Sequence, residues 1–136
     1  MNFILDTNAV SALMRAEPAA VARLRACARD EVAIPQPVVA EIQYGLSRLP
    51  ASKRKRALEA RWQLFATELP RVMWTEEVSA CFGKTKAALE RRGERIDDFD
   101  LAIAAHALAF DATLVSANHK HMARIHGLKV EDWGQR

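Results

Sequence analysis

Cysteine is scarce in this chain, with two residues, Cys27 and Cys81, among 136. So few cysteines exclude a small scaffold that is held together by disulfide bonds. Both lie in helical patterns, and we expect them to be buried as small apolar side chains. Half of the residues are apolar, and a domain of about 150 residues buries roughly 70% of its unfolded surface. The sequence therefore predicts one folded domain over residues 1–136.

Targeting segments and long apolar runs are also missing. The amino-terminal residues include no basic stretch, and Asp6 and Asn8 interrupt any apolar run there. The longest mainly apolar stretch, Leu101 to Val115, is broken by His106 and Asp111. It falls short of the roughly 20 apolar residues that a membrane helix needs. We therefore expect a cytoplasmic protein with no membrane partner.

The net charge is small, since twenty lysines and arginines against seventeen acids leave +3. This balance is compatible with a nucleic-acid partner and does not require one. The cations are nevertheless clustered: Lys53 and Arg54 begin the densest basic run, and Arg91, Arg92 and Arg95 follow later in the chain. Because phosphate contacts drive non-specific nucleic-acid affinity, these five are candidate contacts, with a solvated helix surface as the alternative.

Strand and helix patterns alternate along the chain. Short apolar runs that end at turn residues predict five strands, at Asn2 to Leu5, Val32 to Ile34, Val72 to Trp74, Thr113 to Val115 and Lys129 to Val130. Amphipathic stretches of helical period fill the segments between them. Strands joined by helical crossovers are typical of a parallel sheet that is covered on both faces, so the predicted class is α/β.

Three acids stand in otherwise apolar surroundings. Asp6 directly follows the first strand, Glu41 lies on the third helical segment, and Asp100 falls in the first turn of an apolar helix. Each has an ordinary explanation: Asp6 as a helix cap, Glu41 as one polar position, and Asp100 as a residue that stabilises a helix start. If the three converge, their mutual repulsion requires a compensating cation. Oxygen ligands select Mg²⁺ or Mn²⁺ over zinc, and the matching chemistry is phosphodiester hydrolysis.

These acids lie in motifs that resemble a known family. The segments are Ile4 to Asn8, Val39 to Gly45, Asp100 to Ala105, Leu114 to Asn118 and Val130 to Trp133. In this order and at this spacing they resemble PIN-domain nucleases, and among these most closely the VapC toxins and their FitB-like relatives of bacterial toxin–antitoxin pairs. The resemblance covers nearly the whole chain.

The resemblance implies a three-layer α/β/α sandwich around a parallel five-stranded sheet, with the acids at its carboxyl edge. It implies an endoribonuclease that uses Mg²⁺, with Mn²⁺ as an alternative, and acts as the toxin of a type II toxin–antitoxin pair. Asp6, Glu41 and Asp100 match the family's three central acids. The implied partners are RNA, a small cognate antitoxin and a second copy of the toxin, with a larger assembly possible when the antitoxin is bound.

Four further positions match the family with lower weight. The fourth acidic position holds Asn118, which keeps an oxygen ligand and loses the charge. A second metal ion would then bind more weakly, which favours one-metal chemistry and leaves the number of ions open. Thr7, Asn8 and Ser116 match positions that usually support the acids by hydrogen bonds.

Other functions remain open at this stage. A phosphoryl-transfer enzyme of the haloacid-dehalogenase type also places Asp6 after a first strand, but it needs an acid where Asn8 stands. A non-catalytic PIN-like binding module would account for Asn118 as decay of the site. A PIN-family nuclease outside toxin–antitoxin systems is the closest alternative. The sequence names neither the RNA that is cut nor the antitoxin.

Overall fold

A parallel sheet of five strands forms the centre of the protein. The computed structural model describes residues 1–134, so positions 135 and 136 of the predicted domain lie outside the described residues. The strands are β1 (Phe3–Leu5), β2 (Val32–Pro35), β3 (Arg71–Val72), β4 (Thr113–Val115) and β5 (Val130–Glu131). Their order in the sheet is β3-β2-β1-β4-β5, and every neighbouring pair is parallel.

Seven helices in residues 1–134 flank this sheet and complete the predicted α/β/α architecture. They are α1 (Thr7–Met14), α2 (Pro18–Arg25), α3 (Gln36–Ser47), α4 (Lys53–Glu68), α5 (Glu76–Arg91), α6 (Asp98–Ala109) and α7 (His119–Met122). Side-chain oxygens of Ser52 and Thr75 cap α4 and α5 by accepting backbone N–H groups three residues later. None of these helices has the length and apolar content that a bilayer crossing demands.

The core lies on the central strands and on α6. Ile4, Leu5 and Leu114 are inaccessible to solvent, as expected for parallel strands that are covered on both faces. Every side chain of α6 from Leu101 to Ala107 is buried. This helix contacts β1, β4, α3 and α5. A helix that is apolar on all sides is a buried helix. Because α6 is packed on several sides, the position of Asp100 in its first turn is fixed.

Four of the five strands depart from their predicted boundaries. β1 begins one residue later than expected, at Phe3, and β2 ends one residue later, at Pro35. The third strand was expected at Val72 to Trp74, but it covers Arg71–Val72 and Trp74 lies outside the sheet. The reason is that β3 is an edge strand whose only partner, β2, ends at Pro35, which pairs with Val72. The last strand was expected at Lys129 to Val130 and lies one residue later, because Val115 of β4 pairs with Glu131.

The two cysteines are half-buried, whereas full burial was predicted. Cys27 follows the last turn of α2, and its thiol donates to the carbonyl oxygen of Arg23 at 3.4 Å. Burial raises the pKa of the Cys27 thiol, which keeps it in the neutral, unreactive form.

Candidate metal centre

Asp6 lies at the point where the order of the strands reverses. Strands β2 and β3 lie on one side of β1, and β4 and β5 lie on the other. In open parallel sheets, ligands bind beyond the carboxyl ends of the strands at such a reversal. The backbone N–H of Asp6 donates to the carbonyl oxygen of Val115 at 3.0 Å, which ties the end of β1 to the end of β4. One carboxylate oxygen of Asp6 accepts the N–H of Ala9 at 2.8 Å and caps α1.

The carboxyl group of Asp6 is held in a poorly solvated position. The residue is 6% exposed. Burial raises the pKa of Asp6, and the charges of Glu41 and Asp132 raise it further. Hydrogen bonds from the Ser116 side chain and the Ala9 backbone lower this pKa and only partly offset the burial. The ionised form of Asp6 therefore lacks the solvation that a nearby cation would restore.

Glu41 is held beside Asp6 by a contact between distant segments. The hydroxyl of Thr7, at the start of α1, donates to Oε1 of Glu41 on α3 at 2.5 Å. The two residues are 34 positions apart in the chain, so this bond joins the two helices at the carboxyl edge of the sheet. Thr7, predicted as a supporting residue, thereby fixes one oxygen of Glu41 and leaves the other available.

Asp100 brings a third carboxylate to the same edge. It lies in the first turn of α6, where the helix end favours a negative charge, and it is half-buried. Burial raises the pKa of Asp100, and the charges of Asp97, Glu41 and Asp6 raise it further, while His121 lowers it. The three predicted acids therefore lie within electrostatic range of one another.

The two raised pKa values predict how stability depends on pH when no divalent cation is present. Between the ordinary aspartate value of 3.8 and the raised values of Asp6 and Asp100, the folded protein binds more protons than the unfolded chain. The free energy of unfolding should therefore fall as the pH rises through this window. The variant Asp6→Asn keeps a capping side chain and loses the buried charge, so we expect it to be more stable than the wild type at neutral pH.

Urea unfolding in EDTA across this pH range measures the effect. The variant Asp98→Asn serves as the control, since Asp98 is exposed and paired with Lys86. A wild-type protein whose stability is flat or increases through the window would contradict the account. So would an Asp6→Asn variant that is less stable than the wild type at neutral pH.

The donor set fits a hard divalent cation. Among residues 1–134, Asp6, Glu41 and Asp100 form no ion pair with lysine or arginine. In the same part of the chain, no three His, Cys, Asp or Glu side chains are arranged to hold an ion by themselves. Carboxylate oxygens without a cationic partner are nevertheless the donors that suit Mg²⁺, which retains several waters and meets only one or two protein carboxylates directly.

The predicted supporting residues lie around β4 and α1. Ser116 is buried directly after β4, and its hydroxyl oxygen accepts the backbone N–H of Asn118 at 3.0 Å. Asn118 is half-buried before α7, and within residues 1–134 its side chain makes no hydrogen bond to the three acids. Asn8 is exposed and lines a cavity of about 160 Å³ together with Ser116.

A fourth carboxylate near the site, Asp132, is not among the predicted site residues. It follows β5, which pairs with β4, and it lines the same cavity as Asn8 and Ser116. Its side chain is 14% exposed, and its Oδ2 lies 4.0 Å from Nε2 of His119. Asp132, like Asp6, is an acid at the carboxyl end of a strand, but its strand, β5, is the edge strand beyond β4.

The five predicted basic contacts lie on two elements, at the start of α4 and around the end of α5. Arg54 lines a cavity of about 310 Å³ together with Thr7 and Glu41, whereas Lys53 is exposed and does not line it. Three other cations lie at the end of α5 and in the loop before α6, where all are exposed: Arg91, Arg92 and Arg95. The structure brings Arg54 alone of the five into a cavity that contains one of the acids.

His106 is separated from the acids by its burial under Trp74. Its ring is fully buried, Nδ1 donates to the carbonyl oxygen of Ala102 at 2.7 Å, and the ring meets that of Trp74 edge-on at 5.3 Å. Burial lowers the pKa of His106, and the bond to Ala102 opposes this shift. His106 is therefore neutral at pH 7 and serves the packing of α6.

The α/β/α architecture and the acids at the point of strand reversal agree with the result of a comparison with protein families. The family model of the PIN domain matches residues 3–128 of this chain, and the chain therefore belongs to the PIN-domain family.

Within that family the chain is similar to VapC ribonucleases along nearly its whole length. It is 34% identical over 135 residues to the ribonuclease VapC2 of Rickettsia felis, and 98% of each chain is covered. It is 26% identical over 133 residues to the tRNA(fMet)-specific endonuclease VapC of Shigella flexneri, again over 98% of each. Among solved structures, VapBC2 of Rickettsia felis bound to a fragment of its promoter DNA superposes with a TM-score of 0.87 at 32% identity, covering 98% of this chain and 99% of the other. The resemblance predicted from the motifs is confirmed.

Proposed function

We propose that this protein is a divalent-metal-dependent endoribonuclease and the toxin of a type II toxin–antitoxin pair. The observation that carries this proposal is that Asp6, Glu41 and Asp100 lie together at the point where the strand order reverses. Among residues 1–134, no lysine or arginine is paired with them. Negative charges that are collected and left unpaired favour a bound cation. The similarity to VapC ribonucleases over 98% of the chain supports RNA as the substrate.

In this proposal Asp6, Glu41 and Asp100 would hold Mg²⁺, or Mn²⁺ in its place. When bound, the ion would acidify water for attack and would offset the negative charge that develops on the phosphate. The chain's own residues position the donors: Thr7 orients Glu41 through its hydroxyl, and Ser116, whose side chain lowers the pKa of Asp6, lies beside that carboxylate. Asn8 lies at the rim of the adjoining cavity and is available to a substrate.

Asn118 bears on the number of metal ions. Its amide offers an oxygen without a charge, so a second ion at that position would bind more weakly than one held by a carboxylate. Asn118 thus favours one-metal chemistry and leaves the number of ions open. The hydroxyls of Thr7 and Ser116 are engaged in hydrogen bonds within the site, and water is the attacking group in this proposal.

The partners follow from the same relationship. Because VapBC2 of Rickettsia felis was solved as a toxin–antitoxin complex on promoter DNA, we propose a small cognate antitoxin for this chain. We also propose a homodimer of the toxin, a larger assembly when the antitoxin is bound, and action in the cytoplasm. A relative is named for tRNA(fMet), and transfer RNA is therefore the substrate class to test first.

Purified protein incubated with bacterial transfer RNA tests the proposal. We expect discrete fragments in the presence of Mg²⁺ or Mn²⁺ and intact RNA in the presence of EDTA. Intact RNA under all conditions, with the protein folded, would favour the non-catalytic binding module.

Growth distinguishes the toxin from a PIN-family nuclease with another role. Expression of the chain alone should arrest growth, and co-expression of a short gene adjacent to its own should restore it. Normal growth despite RNA cleavage in vitro would remove the toxin assignment and leave the nuclease.

A further inference from the structure

A basic groove lies between the carboxyl-terminal half of α5 and the segment that follows α7. Its volume is about 280 Å³. Among residues 1–134, the groove is lined by Lys84, Thr85, Ala88, Leu89, Arg92, Arg124, Ile125 and His126. This lining contains three cations and a histidine, and it includes no carboxylate. Of the three arginines predicted near the end of α5, only Arg92 lines this groove.

Hydrogen bonds to backbone carbonyls hold two of the cations in place. Nη2 of Arg92 donates to the carbonyl oxygen of Arg124 at 2.6 Å, and Nη1 of Arg124 donates to that of Arg95 at 3.0 Å. Within residues 1–134, Glu94 is the one acid paired with these side chains, through Arg92. Lys84 and Arg124 have no such partner there. The groove therefore carries a net positive charge in a fixed geometry.

The groove is attached to the loop that leads into α6, the helix that carries Asp100, because Arg124 bonds to the carbonyl oxygen of Arg95 in that loop. Arg95, whose carbonyl oxygen accepts the bond from Arg124, lies two residues before Asp97. Asp97 caps α6, the helix of Asp100. The cavity beside Glu41 is less positive, because two cations, Arg15 and Arg54, share it with the carboxylate of Glu41. Five apolar side chains form much of the rest of its lining: Met14, Ile42, Leu46, Leu49 and Leu58. A polyanion is therefore attracted more strongly to the basic groove than to this cavity.

We propose that the basic groove binds the sugar–phosphate backbone of single-stranded RNA and leads the strand to the acids. The proposal rests on the ribonuclease function proposed above. Contacts to phosphate fix the register of a nucleic acid without reading its sequence, and they supply most of its non-specific affinity. The groove is thus a positioning surface, and the choice of cleavage site belongs to residues nearer the acids.

Fluorescence anisotropy with a labelled oligo-uridylate RNA, in EDTA and at several salt concentrations, tests the groove without cleavage. For Lys84→Gln/Arg92→Gln we expect affinity to fall roughly tenfold or more in low salt, and the salt slope to become shallower by about 1.4, since each phosphate contact on a single strand contributes about 0.7. The control Lys129→Gln/Arg25→Gln makes the same chemical change outside the groove, with Lys129 paired to Asp111 at the amino edge of the sheet. Its affinity should equal that of the wild type.

Three outcomes overturn the proposal. They are an unchanged affinity in the groove variant, an equal loss in the control, and a loss confined to a third variant, Lys53→Gln/Arg54→Gln. Thermal unfolding midpoints equal to the wild type establish that the variants are folded. Cleavage in Mg²⁺ separates the two proposals. If the wild type cuts RNA and the groove variant binds and cuts equally well, the proposed role of the groove is wrong and the proposed nuclease activity is retained. If the wild type binds RNA through the groove and does not cut it, the nuclease activity is wrong and the role of the groove is retained.

Discussion

The variant Asp100→Asn is expected to cleave RNA about 1,000-fold more slowly than the wild type, because a bound metal supplies several kcal/mol of transition-state stabilisation and each 1.4 kcal/mol is about a tenfold change in rate. Asparagine keeps the shape of the side chain and removes the charge that favours the cation. The same loss is expected for Asp6→Asn, in which asparagine still caps α1, so the fold is retained. First-order rates with a defined transfer RNA in Mg²⁺ measure the effect.

Asp98→Asn is the matched control for this prediction. It makes the same chemical change two residues earlier in the same helical turn, where the carboxylate is exposed and paired with Lys86 at 3.1 Å. An exposed pair of this kind contributes little, so cleavage should remain near the wild-type rate. If Asp98→Asn and Asp100→Asn lose activity equally, the loss is general to the helix end, and the assignment of Asp100 is wrong.

The variant Trp62→Ala is expected to lower the free energy of unfolding by about 3–5 kcal/mol. Trp62 is 2% exposed and is the one fully buried residue of α4. The guanidinium of Arg71 lies 5.4 Å from the centre of its ring. Truncation removes the main attachment of α4 to the core and leaves a cavity, against a total stability that is typically about 5–15 kcal/mol.

Guanidinium unfolding of Leu64→Ala provides the comparison on the same helix. Leu64 is 57% exposed, and a substitution there should change stability by less than about 0.5 kcal/mol. Trp62→Phe, which keeps an aromatic ring in the core, should lose less than Trp62→Ala. Equal stabilities of Trp62→Ala and Leu64→Ala would contradict the packing described for α4.

Local patterns were sufficient to predict the class of the fold and to single out the three acids as candidate site residues. Asp6 directly follows a buried apolar strand, and Asp100 begins an apolar helix, so each is recognisable from its neighbours in the chain. What such patterns do not contain is the order of the strands. The acids converge because β4 pairs with β1, and because the hydroxyl of Thr7 reaches Glu41 across 34 positions. Both are tertiary contacts.

Asp132 shows why a short strand conceals a carboxylate near the candidate site. The last strand was expected to end at Val130, which left Asp132 two positions beyond it, whereas the observed strand ends at Glu131. A strand of two residues has almost no pattern of its own, and its bounds are decided by pairing with β4. The same reasoning explains β3, whose end is decided by the end of β2 at Pro35.

The most direct test of the metal centre is the binding of Mn²⁺, followed by electron paramagnetic resonance as the free ion is depleted. The account predicts that the wild type and Asp98→Asn bind the ion with equal affinity. It predicts that Asp6→Asn and Asp100→Asn bind it at least roughly tenfold more weakly, since even changes to groups that support metal ligands cost about 10–100-fold. Equal affinities in all four proteins, or no binding by the folded wild type, would contradict the account.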